Sequence, residues 1–303
     1  MIELEKLTTE QRNPASTHID ELPTLDMLTL MNEADKTVAL AVEKILPEIA
    51  KAVDLITERL QKGGRLFYLG AGTSGRLGIL DAVECPPTYG TEPELVQGLI
   101  AGGTPAIFRA QEGAEDDETL ARQDLEQAGF TEKDVLVGIA ASGRTPYVIG
   151  GLSYASSLGA ATIALACAEN PRIAEEADIA LTPVTGPEII TGSTRLKAGT
   201  AQKMVLNMLS TGTMVKLGKV YGNLMVDVKA TNAKLSERAL RIVMEAADAS
   251  RESAAEALKK AQGSAKLAIL ILLTGCSSSA GRLQLNMVQG HLGQAIRKII
   301  KRT

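Results

Sequence analysis

Short apolar runs alternate with segments of helical periodicity between Arg65 and Thr182, and this alternation constrains the fold more than any other feature of the chain. Chains built this way form a parallel sheet with helices on both faces. The sequence therefore predicts an α/β fold with a doubly wound parallel sheet of five strands. The predicted strands are Arg65–Leu69, Leu95–Ile100, Asp134–Ile139, Ala161–Cys167 and Ile179–Thr182.

The regions on either side of this alternation have helical patterns. From Asp26 to Gln61 apolar residues recur at helical spacing, and Pro47 inside the pattern predicts a kink or two helices, with Pro47 in the first turn of the second. Further helices are predicted at Arg76–Glu84, Thr119–Gln127, Tyr147–Leu158, Thr194–Leu217, Ala230–Ala247, Ser250–Ala261 and Met287–Lys301. Periodicity does not separate a buried helix from a buried strand at Leu267–Leu273.

These patterns predict three parts of the chain. We expect an N-terminal extension and helical arm over residues 1–60, a central α/β domain over residues 61–228, and a small helical domain over residues 229–303. The arm has a long apolar face that needs a surface to cover it.

Composition argues against several classes of protein. The 36 Asp and Glu residues outnumber the 32 Lys and Arg, so the charge does not favour binding of a polyanion. Aromatic residues make up only 3% of the chain, which leaves little surface for bases to stack on. No apolar run approaches the roughly 18 residues needed to span a bilayer. The polar N-terminus does not resemble a signal peptide. We expect a cytoplasmic protein with no nucleic-acid or membrane partner.

The three cysteines and two histidines are isolated in the sequence. Cys85, Cys167 and Cys276 lack paired spacing, as do His18 and His291. A zinc site would normally need ligand pairs at short spacing, so no metal is expected. An odd number of widely separated cysteines fits a reducing compartment better than a disulfide framework.

Two predicted strands end in similar loops, Gly70–Arg76 (GAGTSGR) and Ala141–Thr145 (ASGRT). Each loop opens a helix and so offers free backbone N–H groups, the positive end of the helix dipole and hydroxyl donors, which together suit a phosphate. The first loop also matches the GxGxxG dinucleotide motif, a weak signal alone. The repeated Ser/Thr-Gly chemistry favours one small phosphorylated ligand. The alternative is two tight turns whose hydroxyls only cap helices.

Glu84 is predicted at the end of the helix Arg76–Glu84, just before Pro86 and Pro87. The negative end of a helix dipole favours a protonated carboxyl by up to about 1 kcal/mol. A carboxyl that holds its proton near neutral pH suits a general acid or base. The alternative is an ordinary solvated glutamate.

Five carboxylates fall within the seven residues from Glu112 to Glu118. Crowded like charges favour retention of a proton and could hold a base in a useful range. Acidic residues also favour helix N-termini for purely structural reasons, and a helix is predicted to begin at Thr119. Gly113 is hard to place in a helix and predicts a turn.

The segment Gly186–Thr200 leads from the fifth strand into a long helix. Its hydroxyls and cations could close over a ligand. Equally, Ser193 or Thr194 could serve only as the N-cap of that helix.

Taken together, GAGTSGR, VECPPTYG, EGAEDD, ASGRTPY and GPEIITGSTRLKAGTAQK resemble the motifs of the N-acetylmuramic acid 6-phosphate etherases, and the resemblance extends over essentially the whole chain. It implies a sugar isomerase (SIS) domain with a flavodoxin-like parallel sheet that binds phosphosugars at its Ser/Thr-rich strand ends. The glucokinase regulatory protein is a non-catalytic relative of this family.

The resemblance also implies an activity. Family members cleave the D-lactyl ether of N-acetylmuramic acid 6-phosphate by elimination and then hydration, giving N-acetylglucosamine 6-phosphate and D-lactate in the recycling of cell-wall amino sugars. It implies Glu84 and Glu115 as the catalytic pair, no cofactor, and a homodimer with a shared active site. The residues expected to bind the phosphosugar are Thr73, Ser74, Ser142, Gly143 and Thr145.

Two other functions fit the same patterns. A non-catalytic phosphosugar-sensing regulator would have no reason to keep both Glu84 and Glu115. A phosphosugar isomerase would also use a carboxylate base, so only the family resemblance separates it from an etherase.

Overall fold

The structure, a computed structural model, describes residues 9–111, 113–228 and 233–301. The chain divides into two compact units. The first contains the chain up to Val83 together with Glu94–Ser210, and the second contains Glu84–Pro93 together with the chain from Thr211 onwards.

A five-stranded parallel sheet forms the centre of the first unit, in the order β2-β1-β3-β4-β5. The strands are β1 Leu66–Gly70, β2 Val96–Ile100, β3 Val135–Ile139, β4 Ala161–Leu165 and β5 Ile179–Leu181. Every residue of β1, β3 and β4 is buried, because helices cover both faces of a parallel sheet. The predicted fold class and all five predicted strands are confirmed.

Seven α-helices begin within the described residues of the first unit. They are α1 Thr24–Glu43, α2 Leu46–Gln61, α3 Gly72–Tyr89, α4 Gly103–Phe108, α5 Glu118–Gln127, α6 Pro146–Ser157 and α7 Lys197–Lys216. Pro47 lies in the first turn of α2, as predicted, where the missing N–H has no helical partner to lose. On one face of the sheet, Leu125 of α5 and Leu152 of α6 pack into one apolar core with Phe67 and Leu136 of the strands.

The prediction that the third helix ends at Glu84 is wrong. Helix α3 continues through Pro86 and Pro87 to Tyr89. Cys85 and Tyr89, one turn apart, are both buried, and the Tyr89 hydroxyl donates a hydrogen bond to Thr211 at 3.1 Å. This packing offsets the two hydrogen bonds that the prolines remove, so tertiary contacts override the local preference.

The second unit is mainly helical. It contains the antiparallel pair β6 Val220–Tyr221 and β7 Leu224–Met225, and the helices α8 Ala233–Ala247, α9 Arg251–Lys260, α10 Ala265–Thr274, α11 Ser278–Met287 and α12 Leu292–Ile300. The ambiguous run Leu267–Leu273 is therefore helical. The predicted start of α8 at residues 230–232 lies outside the described residues.

The last predicted helix begins later than expected. Helix α12 starts at Leu292, not at Met287, because Gln289 and Gly290 adopt positive φ angles of 52° and 81° and break the pattern. Across the described residues no single helix has the length and apolar composition to cross a bilayer; α10 and α11 reach those limits only as a pair bent by 109°.

Candidate active site

The order of the strands creates a crevice at one edge of the sheet. From β1 the chain moves to β2 on one side, and from β2 it crosses to β3 on the other side of β1. The loops that follow β1 and β3 therefore diverge, and ligands of open α/β sheets bind at such a switch point. Both loops singled out in the sequence flank this crevice.

The first loop is a tight strand-to-helix turn. A Cβ atom on Gly75 would lie 2.6 Å from the carbonyl oxygen of Gly70, so a side chain at this position would force the turn open. Helix α3 begins at Gly72, and the N–H groups of its first turn have no partner within the helix. The turn thus presents backbone donors at the crevice, next to the hydroxyls of Thr73 and Ser74.

The second loop is held by its surroundings. Gly143 has a φ angle of 70°, and a Cβ atom there would lie 2.1 Å from Cβ of Pro171. The N–H of Ile173 donates to the carbonyl of Gly143 at 3.0 Å. Thr145 occupies the N-cap position of α6, yet its hydroxyl makes no capping bond to any described residue. Among the described residues this hydroxyl therefore does not act as a helix cap, which argues against the purely structural interpretation of this threonine.

A cavity of about 420 Å³ lies between the two loops, entirely within the first unit. It brings together predicted site residues that are far apart in the sequence. The described residues that line it are Glu10, Ala71, Gly72, Thr73, Ser74, Glu115, Asp116, Ala141, Ser142, Arg144, Thr145, Pro146 and Thr194. Gly143 is buried behind this surface and sets the path of the loop.

The acidic cluster separates into structural and cleft-facing residues. Asp117 caps α5: its carboxylate accepts hydrogen bonds from the Thr119 hydroxyl at 2.7 Å and from the N–H groups of Thr119 and Leu120. These bonds hold the pKa of Asp117 below its ordinary value. By contrast, Glu115 lines the cavity. It lies on a 3-10 turn that begins after Gly113, and Gly113 has a φ angle of 81°.

Glu84 is not among the described residues that line this cavity. It is exposed on α3, ten residues after Ser74, which corresponds to a rise of roughly 15 Å along the helix. Because α3 continues past Glu84 to Tyr89, this carboxyl does not lie at the negative end of the helix dipole, and that prediction is wrong.

Glu188 caps α7, a role for which the sequence had offered Ser193 or Thr194 as one of two open interpretations. The side chain of Glu188 is buried and accepts hydrogen bonds from the N–H groups of Lys197 and Ala198, at 2.9 and 3.0 Å. Burial lowers the pKa of Lys197, whose Nζ donates to the carbonyl of Thr185 at 2.7 Å. Thr194 lines the cavity.

Three residues at or behind the cavity had no role assigned from the sequence. Glu10 precedes the first predicted helix, and no motif marks it. Gln202 of α7 lies behind the cavity, where its side-chain oxygen accepts a hydrogen bond from Ser74 at 3.0 Å. Arg144 belongs to a motif, but its side chain had no role assigned. Across the described residues, no cluster of three His, Cys, Asp or Glu side chains could hold a metal ion.

Three family models match the chain. Residues 48–156 match the glucokinase regulatory protein N-terminal SIS domain, residues 119–212 match the SIS domain, and residues 222–268 match the C-terminal lid domain of glucokinase regulatory protein. Together the first two span all five strands of the central sheet and both loops.

Curated relatives cover nearly the whole chain. An N-acetylmuramic acid 6-phosphate etherase from Clostridium beijerinckii is 58% identical over 298 residues, 98% of this chain and 98% of that one. The chain belongs to this etherase family. A second member, from Vibrio campbellii, is 59% identical over 293 residues, and the aligned region covers 97% of this chain and 95% of that one. Among solved structures, a phosphoheptose isomerase from Neisseria gonorrhoeae has a TM-score of 0.49 and 17% identity, covering 63% of this chain and 98% of that chain.

Proposed function

We propose that this chain cleaves the D-lactyl ether of N-acetylmuramic acid 6-phosphate and releases N-acetylglucosamine 6-phosphate and D-lactate. The observation that carries the proposal is 56–59% identity to etherases over nearly the full chain. A cavity lined by hydroxyls from two strand-end loops supports a phosphosugar substrate.

The 6-phosphate is proposed to bind between the two loops. Thr73 and Ser74 at the start of α3, and Ser142 and Thr145 in the loop before α6, offer hydroxyl donors to one anion. Gly143 contributes through its backbone, which keeps the second loop in place. The N-terminal ends of two helices add the favourable end of their dipoles.

The proposed chemistry is an elimination followed by hydration. In the open-chain sugar the C1 aldehyde acidifies the C2 proton. A base removes that proton, the C3–O bond breaks, and the departing lactate oxygen takes a proton from an acid. Water then adds to C3 of the unsaturated aldehyde and loses one proton to a base. C2 takes up one proton, which completes the hydration.

Two glutamates are proposed to move these protons. Glu84 protonates the leaving lactate as a general acid and then activates water as a general base, whereas Glu115 acts at C2. Glu115 lines the cavity beside the phosphate loops, which supports its place near the sugar. Glu84 lies about 15 Å further along α3 from Ser74, so we assign the Glu84 that acts in each cavity to the neighbouring subunit.

The functional unit is proposed to be a homodimer. Leu25, Leu28 and Leu40 of α1 have 75%, 52% and 58% of their surface exposed, which leaves apolar area for a second copy to cover. In this arrangement residues 1–60 form the contacting arm, residues 61–228 bind the phosphosugar and residues 229–303 form a helical domain. The free cysteines fit a cytoplasmic location.

The direct test is incubation of purified protein with N-acetylmuramic acid 6-phosphate and measurement of D-lactate over time. An etherase releases lactate and N-acetylglucosamine 6-phosphate in equal amounts. A phosphosugar sensor would bind the compound without lactate release, and an isomerase would convert an aldose phosphate to a ketose phosphate. Either result in place of lactate release would overturn the proposal.

A further inference from the structure

A buried amide lies directly behind the phosphate loop. Gln202 of α7 is 1% exposed, and its Oε1 accepts a hydrogen bond from the Ser74 hydroxyl at 3.0 Å. The other amide atom, Nε2, has no partner among the residues that the structure describes. Buried donors without partners are rare in folded proteins, so this one calls for an explanation.

The present arrangement sends the only proton of the Ser74 hydroxyl away from the cavity. A hydroxyl has one donor and two acceptor sites, and an amide has both kinds of atom in a planar group of nearly symmetrical shape. Rotating the Gln202 amide by 180° exchanges Oε1 and Nε2 within the same volume. Nε2 then donates to Ser74 Oγ, and the Ser74 proton is free to point to an anion in the cavity.

We propose that Gln202 is a positioning residue whose amide donates to Ser74 when a phosphosugar is bound, so that Ser74 donates to the phosphate. The inference rests on the proposed phosphosugar site and deepens it. The chain of donors runs from Gln202 Nε2 to Ser74 Oγ and from Ser74 to a phosphate oxygen. Rotation gives the unpaired donor a partner and leaves an unpaired carbonyl oxygen, which proteins tolerate more readily.

Gln202→Met and Gln202→Glu test this relay by calorimetric titration with N-acetylglucosamine 6-phosphate. Methionine has a similar length and no donor, so affinity should fall about 10-fold or more. A carboxylate can only accept a hydrogen bond from Ser74, and it adds negative charge behind an anion site. Gln202→Glu should therefore lose more affinity than Gln202→Met. Its affinity relative to wild type should recover on acidification, when the carboxyl gains a proton to donate.

Two controls separate positioning from simple structural damage. In a Ser74→Ala background both Gln202 substitutions should have little further effect, because they act through the missing hydroxyl. Gln284→Met removes another buried glutamine whose Nε2 lacks a described partner, on α11 of the second unit, and should leave affinity unchanged. Additive losses, or a Gln202→Glu defect independent of pH, would overturn the relay. Failure of wild type to bind the phosphosugar would instead overturn the proposed function.

Arg144 places a positive charge in the cavity. It is the one cation among the described residues that line the cavity, together with the acids Glu10, Glu115 and Asp116. Its side chain is exposed and forms no hydrogen bond or ion pair that the structure records with any described residue. The backbone beneath it is fixed, because Gly143 is packed against Pro171.

The proposed substrate has a second anion besides its phosphate, the carboxylate of the lactyl group. The phosphate already has hydroxyls and two helix N-termini as donors. A carboxylate entering a cavity lined by three acids needs a cation, and a guanidinium matches carboxylate geometry with two parallel hydrogen bonds. We infer that Arg144 binds the lactyl carboxylate and so selects the ether substrate over the product sugar phosphate.

Comparison of two ligands tests this role, with Arg144→Gln placed in a Glu84→Gln background to slow turnover. Affinity for N-acetylmuramic acid 6-phosphate should fall about 10- to 100-fold relative to Glu84→Gln alone, the range for a hydrogen-bonded charged group. Affinity for N-acetylglucosamine 6-phosphate, which lacks the carboxylate, should not change. Arg172→Gln, an exposed arginine outside this cavity, is the matched control. Equal losses for both ligands would place Arg144 on the phosphate and overturn the inference.

Discussion

At the scale of single residues, the two glutamates differ in their surroundings. Glu115 lies on a turn in the cavity, whereas Glu84 is exposed on α3. Replacing either by glutamine keeps the shape and removes the transferable proton. Because general acid–base catalysis supplies about 10²- to 10⁴-fold, Glu84→Gln and Glu115→Gln should each slow lactate release by about that factor while the protein stays folded.

Exchange of the C2 hydrogen with deuterated solvent distinguishes the two roles. Glu115→Gln should slow this exchange, and Glu84→Gln should retain it, since in the proposed mechanism the C2 proton is removed before lactate departs. Glu118→Gln, in the first turn of α5, is the control and should have almost no effect on lactate release or on exchange at C2. An equal effect of Glu118→Gln and Glu115→Gln would point to the general charge of the acidic cluster instead of one positioned base.

The hydroxyls proposed to bind the phosphate can be tested by removing them one at a time. Ser74→Ala and Thr145→Ala each remove one hydroxyl from the cavity lining. Each should weaken binding of N-acetylglucosamine 6-phosphate by about 1 to 3 kcal/mol, the range for a hydrogen bond to a charged group. Titration calorimetry provides the measurement. Unchanged affinity in both variants would mean that the phosphate binds elsewhere.

At the scale of elements, Asp81 joins α3 to its neighbours within the first unit. Its buried carboxylate accepts hydrogen bonds from Tyr68 of β1 at 2.8 Å, and from Asn207 and Ser210 of α7 at 2.7 and 3.1 Å. Asp81→Ala should lower the free energy of unfolding by about 1 to 3 kcal/mol or more, because buried donors lose their shared acceptor. Chemical denaturation checks this value, and an unchanged midpoint would contradict it.

The same carboxyl predicts a pH dependence of stability. Burial raises the pKa of Asp81 above its ordinary value of 3.8, against the effect of its three donors. The folded state therefore binds this proton more readily than the unfolded state, so the contribution of Asp81 to stability is largest at low pH and is lost as pH rises through the folded-state pKa. As the pH falls from about 7 to about 4, the free energy of unfolding of wild type should increase relative to that of Asp81→Asn. A constant difference over that interval would exclude the raised pKa.

At the scale of the whole molecule, subunit exchange tests the shared site. If Glu84 and Glu115 of one site come from different chains, a mixture of Glu84→Gln and Glu115→Gln proteins regains activity. Random pairing makes half of the dimers mixed, each with one intact site, so roughly a quarter of wild-type turnover is expected. The mixture is unfolded and refolded together, and lactate release is compared with each variant alone. Absence of recovery in verified mixed dimers would place both glutamates of a site in one chain.

The assembly itself is tested at the arm. Leu25→Asp with Leu28→Asp places charge on the exposed apolar residues of α1 and should shift sedimentation from a dimer to a monomer at micromolar concentration. Thr37→Asp, exposed on another side of the same helix, is the control and should remain dimeric. A wild-type protein that sediments as a monomer would contradict the proposed dimer.

The sequence by itself determined the position of most local elements and predicted a phosphate-binding chemistry for the two loops. Buried parallel strands are apolar on both faces, so the runs Arg65–Leu69 and Asp134–Ile139 located β1 and β3 to within one residue without tertiary information. The glycines and hydroxyls of the two loops predicted a phosphate site because tight turns and helix N-termini impose those residue types locally. The five motifs placed the chain in its family.

Tertiary structure decided what depends on contacts between distant parts of the chain. Strand order put the loops after β1 and β3 on either side of one crevice, and packing of Cys85 and Tyr89 carried α3 through two prolines. Capping of α5 by Asp117 left Glu115 to face the cavity. Gln202 lies 128 residues from Ser74 along the chain yet within hydrogen-bond distance of it. Periodicity and turn chemistry describe only neighbours in sequence, whereas these contacts arise when separate elements share one buried space.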